Sequence, residues 1–284
     1  MNGEDRNTKL VTVGNTDPIG KIAANQMIAD GRIRSVWHTD QTESTNSVAL
    51  ADARRLLPEL TIPRLYIADR QTAGRGRHGR TWQSDETSLT FSLLLNWKFQ
   101  NDTPSRLLSM AVGVGIARAI EFDYAPIRTS LKWPNDVLIG GGKVAGILLE
   151  ANVLTNHVIA GVGINVGSAP DLSQQPDANP TRSISSVVHR EVHRYRCMPS
   201  IVNAVLDTID ELRQGDESEI IREFRSRCLL TGQMISFASD GITHQGRCLG
   251  VDATGSLRVE TNDTIRSIIS GEASLLRIQP KPQR

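Results

Sequence analysis

"GRGRHGRTWQSDETSLTFSLLL", residues 74–95, begins with the glycine spacing G-x-G-x-x-G. In a dinucleotide-binding fold that spacing lies between a strand and a helix, and the helix must start at once because its N-terminus receives the pyrophosphate. Here the glycines lead through a polar turn into the apolar run 88–95, which reads as a strand. "RLYIAD" (64–69) on the other side is also strand-like. The loop therefore joins strand to strand, and the doubly wound parallel reading loses its required context. "GGGK" at 140–143 fails as a phosphate loop as well, because Val144 replaces the Ser or Thr and Val137 stands where the upstream glycine belongs.

Gly74, Gly76 and Gly79 alternate with Arg75, Arg77 and Arg80, and Trp82 follows. Glycine loses more conformational freedom on folding than other residues, and adjacent guanidinium groups repel. A solvated surface loop is the plain reading of such a stretch. Three neighbours favour another: the flat face of Trp82, the amide of Gln71, and the cations Lys132 and Lys143 on a second glycine-bearing segment. Together they suit a clamp for a phosphate and a ring.

The positive charge is local. The 284 residues contain 32 basic and 31 acidic side chains, a net charge of +1, so no global field draws the chain to nucleic acid or to an anionic membrane. Cys197, Cys228 and Cys248 are odd in number and far apart, which fits neither a disulfide framework nor a zinc site and suits a reducing, cytoplasmic setting. The run "LLSMAVGVGIARAI" (107–120) is interrupted by Arg118 and is too short to span a bilayer. The N-terminus carries acidic residues and no apolar core of a signal peptide.

Along the chain, residues 1–16 read as loose and polar. A helix follows from Asp17 as N-cap and Pro18 at its first position, and ends at Gly31. "RIRSVWH" (32–38) alternates like a strand, and Ser44 or Thr45 caps the helix "ESTNSVALADARRLL". Thr103 and Pro104 open a long helix to Phe122. "SLKWPNDVLIGGGKVAGILLEA" (130–151) reads as strand–turn–strand hinged at Gly140–Gly142, and "HVIAGVGINV" (157–166) as a buried strand. Residues 167–183 form a Pro/Ser-rich loop, and amphipathic helices start at Pro199 and Glu217. From Gly232 the texture changes to short alternating strands with turns at Asp240-Gly241 and Thr254-Gly255, a small β-barrel.

Four stretches in order, "STN" (44–46), "QTAGRGRHGRTW" (71–82), "KWPNDVLIGGGKVAGILLE" (132–150) and "GVGIN" (161–165), resemble the signature set of biotin–protein ligases. The segment from Gly232 to about residue 278 is similar to the small barrel that ends those enzymes. The resemblance implies an α+β fold, a mixed β-sheet with helices on one face like that of class II synthetases, followed by an SH3-like barrel. It implies three units: residues 1–35, a polar segment with one helix; 36–231, the catalytic domain; and 232–284, the barrel.

The activity implied has two steps. The carboxylate of biotin attacks the α-phosphate of ATP to give biotinyl-5′-AMP and pyrophosphate, with Mg2+ in attendance. A lysine of a biotin carboxyl carrier domain then attacks the mixed anhydride. Cations must offset the repulsion of the two anions, and a closing loop must keep water from the intermediate.

The resemblance assigns biotin contacts to Ser44, Thr45, Asn46, Gln71, Arg75, Gly76, Arg77 and Lys143, and to Gly161 and Gly163 for close approach of the ligand to a strand. It assigns ATP and adenylate contacts to Arg77, Arg80, Trp82, Lys132, Asn135, Lys143 and Asn165. Lys143, Lys132 and Arg77 are the catalytic candidates, and Asp136 is the candidate for Mg2+ through the phosphates. Plain readings exist beside these: helix caps at 44–45, a turn after Pro134 for Asn135 and Asp136, and a core position for Trp82.

Some members of the family carry an N-terminal winged helix–turn–helix. The residues before Ser44 hold one convincing helix, fewer than such a unit needs, so the expectation is a ligase that binds neither DNA nor membrane, as a monomer or homodimer. Two rivals are a lipoate–protein ligase, against which stand the glycine–arginine loop and "KWPND", and a nucleic-acid-binding module. The near-zero net charge and the lack of stacking aromatics in the barrel oppose the second.

Overall fold

The computed structural model describes residues 9–55, 60–99, 106–173, 180–239, 242–262, 264–271 and 273–276. Eight strands form the main sheet: β1 (Lys9–Val13), β2 (Ser35–Thr42), β3 (Arg64–Gln71), β4 (Leu89–Asn96), β5 (Thr129–Lys132), β6 (Asp136–Ile139), β7 (Gly142–Asn152) and β8 (His157–Ile164). Their order is β1-β2-β3-β4-β8-β7-β6-β5. β1–β2 and β2–β3 are parallel and the other pairs antiparallel, so the sheet is mixed, as the sequence predicts.

Among the described residues six helices surround it: α1 (Pro18–Ala29), α2 (Thr45–Arg55), α3 (Arg106–Asp123), α4 (Ile184–Val188), α5 (Arg194–Gln214) and α6 (Glu217–Arg227). The α1 start is the predicted one, with Pro18 in the first turn and the Asp17 carboxylate accepting from Ile19 N (2.8 Å) and Gly20 N (3.3 Å). α3 is apolar nearly all round, and twelve of its residues are buried. Such a helix belongs in the interior. It shares one large core with apolar residues of α1, α5 and α6 and with Leu65, Ile67, Phe91, Leu93, Leu95, Val158, Ala160 and Val162 of the sheet. α2 lies on the opposite face, where Ala49 and Ala53 pack on Tyr66, Leu94 and Ile159 in a smaller cluster. The main helices thus cover one face, and α2 covers part of the other.

Three local readings change. Residues 9–13, expected to be loose, form β1, Lys-Leu-Val-Thr-Val, whose backbone pairs with β2 and whose Leu10 packs against the main core. Segment 130–151 contains three strands rather than two, because Trp133-Pro134-Asn135 makes a turn ahead of the glycines. α5 begins at Arg194 under a His193 cap, so Pro199 lies inside the helix and does not start it. The Thr103 cap and Pro104 lie outside the described residues.

The starts of α1 and α5 are tied to β3 by Asp69. Its carboxylate accepts from Asp17 N (2.8 Å), from the Tyr195 hydroxyl and from the buried His38, whose Nε2 is 2.8 Å away. Burial alone would raise its pKa, but these hydrogen bonds outweigh burial and hold it below the ordinary aspartate value.

The C-terminal strands β9 (Met234–Ser239), β10 (Ile242–Val251), β11 (Leu257–Glu260), β12 (Ile265–Ile268) and β13 (Ala273–Leu275) form a five-stranded antiparallel sheet in the order β12-β11-β10-β9-β13. The Thr254-Gly255 turn occurs as read, closed by the Asp252 carboxylate accepting from Thr254 N and Ser256 N. Asp240-Gly241 falls outside the described residues. The module is fixed to the β5–β6 turn by Trp133 Nε1 donating to Gly255 O (3.0 Å) and to α6 by Arg225 Nε donating to Val251 O (2.6 Å). Among the described residues no helix is long and apolar enough to cross a membrane.

Candidate active site

A cavity of about 560 Å3 opens on the α2 face of the main sheet. The first turn of α2, the end of β3, the glycine–arginine loop, the β5–β6 turn, β7, β8 and β13 all line it. Every site residue named from the sequence contributes to this one cavity, from Ser44 to Asn165.

Its floor is a chain of hydrogen bonds among buried side chains. Ser44, Thr45 and Asn46 are buried where α2 meets the sheet. The Gln71 Oε1 atom accepts from Thr45 N (2.8 Å) and Thr45 Oγ1 (3.1 Å), so a side chain from β3 satisfies a free helix N–H. Ser92 Oγ lies 2.7 Å from Thr45 Oγ1 and 2.6 Å from Asn46 Oδ1. Asn46 Nδ2 donates to Leu148 O (3.2 Å) and to Glu150 Oε2 (2.9 Å). The start of α2 is itself part of the pocket lining, and the side chain that receives its first N–H is Gln71 of β3.

Gly161 and Gly163 acquire a different reason from the one expected. A Cβ at Gly161 would lie 2.1 Å from Asn46 Oδ1, and one at Gly163 would lie 2.3 Å from Trp82 Cε2. The two glycines seat protein side chains, a polar one and an aromatic one, against β8. They are two residues apart on the same face of the strand, about 7 Å, so the polar floor and the aromatic wall are adjacent.

The loop between β3 and β4 is pinned at its base, where Trp82 N donates to Gly74 O (2.8 Å) and Gly76 N to Arg80 O (2.7 Å). His78 at its tip has φ +53°, the left-handed region that a non-glycine residue adopts at a cost. Arg75 is ion-paired with Glu150. The Arg77 guanidinium reaches Asn135 Oδ1 (3.5 Å) and the carbonyl of Gly271 (3.4 Å) in the C-terminal module. Beyond Trp82, Asp85 accepts from Ser168, Thr87 and Ser88. Burial would raise its pKa, and these hydrogen bonds bring it down to about 2.

Arg75, Arg77, Arg80, Lys132 and Lys143 all line the cavity, against the single carboxylate of Asp136. Lys143 Nζ lies 2.7 Å from Asp136 Oδ1 and 5.6 Å from the centre of the Trp82 ring. Asp136 therefore acts first as the counter-ion of Lys143. Backbone pairing fixes the lysine: Lys143 N donates to Pro180 O (2.7 Å) and Lys143 O accepts from Arg182 N (3.0 Å). Asn165 Nδ2 donates to the carbonyls of Lys143 (3.3 Å) and Arg182 (3.4 Å). Two buried polar atoms of the wall, Trp82 Nε1 and Asn165 Oδ1, have no hydrogen-bond partner.

Among the described residues no group of three or more His, Cys, Asp or Glu side chains comes together as a metal cage. The arrangement fits a cation that arrives with phosphates and takes one carboxylate, which is the habit of Mg2+, and Asp136 is the carboxylate on offer. The sequence did not point to Ser92 and Glu150, which bond to Asn46 behind the cavity lining, or to Ala273 and Ser274, which bring the C-terminal module into the cavity wall. Glu150 ended a quoted motif, but nothing in the sequence placed it beside Asn46.

Comparisons with known proteins agree with this geometry. The Biotin/lipoate A/B protein ligase family model matches residues 38–165, and the model of the Biotin protein ligase C terminal domain matches residues 231–276. The chain is 32% identical over 245 residues to the bifunctional ligase/repressor BirA of Bacillus subtilis, an alignment covering 84% of this chain and 73% of that protein. It is 34% identical over 227 residues to the biotin–[acetyl-CoA-carboxylase] ligase of Mycobacterium tuberculosis, covering 74% and 81%. The fold is similar to the biotin protein ligase of Aquifex aeolicus in complex with biotin and ATP, with TM-score 0.72 and 28% identity over 85% of this chain and 98% of that one.

Proposed function

The chain belongs to the biotin/lipoate A/B protein ligase family, and we infer from that premise that it is an ATP-dependent biotin–protein ligase. The observation that carries the reading is the single cavity in which a buried polar floor adjoins a wall of cations. A neutral ring system with amide-like edges fits the floor of Thr45, Asn46, Gln71 and Ser92. A carboxylate meeting a phosphate fits the cations.

In the first step a biotin carboxylate oxygen forms a bond to the α-phosphorus of ATP, and the bond to pyrophosphate breaks. Lys143 stands where charge builds up, preorganised by its backbone pairing and by Asn165. Such fixed donors act on the transition state without reorganising. Lys132 and Arg77 share the phosphate charge, Arg80 extends it, and Trp82 and Asn165 line the part of the cavity that takes the adenine. Asp136 would hold an Mg2+ that arrives with the phosphates, and the ion would supply further charge neutralisation. In the second step the neutral ε-amine of a lysine attacks the carbonyl of biotinyl-5′-AMP, AMP departs, and the amine loses a proton. The acceptor is a biotin carboxyl carrier domain. The glycine–arginine loop keeps water from the mixed anhydride between the steps.

Biotin is favoured over lipoate by the match of the C-terminal module to the biotin protein ligase domain and by the relatives named above. ATP–pyrophosphate exchange tests this: biotin should stimulate it and lipoate should not, and label should then pass to a carrier domain. Exchange driven by lipoate alone would refute the assignment.

A further inference from the structure

We propose that Glu150 is a positioning residue that latches the glycine–arginine loop to the sheet through Arg75 and so retains the adenylate, an inference that rests on the ligase reading above. Glu150 stands on β7 opposite Ile159, on the α2 face of the sheet. One of its oxygens, Oε2, receives both Asn46 Nδ2 from the pocket floor and the Arg75 guanidinium from the loop. One carboxylate thus joins the floor to the lid.

The loop needs such a tie. No apolar residue occurs between Gly74 and Arg80, and none of Arg77, His78 and Gly79 is buried. Its own backbone bonds close the base and do not attach it to β7. The pairing also changes what Arg75 does. Its charge is met by Glu150, so its guanidinium anchors the loop. Because Ser92 and Glu150 both engage Asn46, a ligand that rests on Asn46 orients the latch from below.

The test is a double-mutant cycle on the full chain, using Arg75→Gln, Glu150→Gln and the pair. Glu150→Gln keeps an oxygen acceptor for Asn46 and removes only the charge that Arg75 meets. The release rate of labelled biotinyl-AMP is measured beside biotin-dependent pyrophosphate exchange. Each single change should speed release roughly two- to fivefold, the range for a partly exposed ion pair, and Glu150→Gln should change exchange less than it changes release. The double variant should release no faster than the singles, because coupled partners are not additive, and Arg75→Lys should restore part of the retention. Multiplied effects in the double variant, wild-type release in both singles, or an exchange defect in Glu150→Gln as large as its release defect would overturn the latch. A wild-type chain that forms no biotinyl-AMP would fail earlier, at the ligase reading.

Discussion

The two faces of β4 and β8 are built for different purposes. On one face Phe91, Leu93, Leu95, Val158, Ala160, Val162 and Ile164 pack into the core formed with α3 and α5. On the other, Leu94 and Ile159 meet α2, and then the side chains shrink to Ser92, Gly161 and Gly163. The first face maximises apolar burial, the main source of stability. The second gives up that burial to seat Asn46 and Trp82 and to leave a cavity. A strand of uniform apolar appearance can therefore be half scaffold and half site.

Substitutions should separate the two faces. Lys143→Ala should lower adenylate formation by about 10²–10³, or roughly 3–4 kcal/mol of transition-state stabilisation, with thermal unfolding close to wild type. It should still transfer biotin from added biotinyl-AMP better than it makes the intermediate. On the core face, Leu93→Ala should cost about 2–5 kcal/mol in urea unfolding, with biotin affinity kept in the folded fraction. One residue away in register logic, Gly161→Ala should do the reverse. Its Cβ would displace Asn46 and break the floor, so biotin affinity should fall about tenfold or more without a comparable loss of stability. Equal effects of Leu93→Ala and Gly161→Ala on binding would erase the distinction between the faces.

Arg77→Ala should accelerate escape of biotinyl-AMP by about tenfold, the value of one charge-assisted hydrogen bond, and slow its synthesis less. The smallest effect should come with acid. Asp69 and Asp85 have folded-state pKa values below their ordinary ones, with Asp85 at about 2. A depressed carboxylate contributes stability that is complete above its unfolded pKa and is lost as pH falls through the folded one. Unfolding followed from neutral pH downward should show this loss beginning below the ordinary aspartate value of 3.8 and continuing towards 2, and Asp69→Asn should flatten its upper part.

Much of this was legible in the sequence because local chemistry carried it. Asp17-Pro18 sets the start of α1, the strand after the glycine loop excludes the dinucleotide fold, and motifs far apart in the chain converge on one cavity. What was not legible depends on neighbours distant in sequence. β1 is a short run, Lys-Leu-Val-Thr-Val, inside a polar N-terminal stretch, and it pairs along its length with β2. Pro199 resembles a helix start, yet His193 and Arg194 begin the helix. Gly161 and Gly163 pointed to close approach, but only the fold shows that Asn46 and Trp82 make it. The counter-ions Asp136 and Glu150 were ordinary acidic residues until Lys143 and Arg75 were placed beside them.

The central claim is that the α2 face binds biotin and nucleotide while the opposite face is scaffold. Hydrogen exchange on the full chain, with and without biotin, ATP and Mg2+, tests it most directly. Ligands should slow exchange in the loop 74–82, at the start of α2 and along 143–148, and leave the central turns of α3 and α5 unchanged. Protection confined to α3 and α5, or a loop equally protected with and without ligands, would contradict the account.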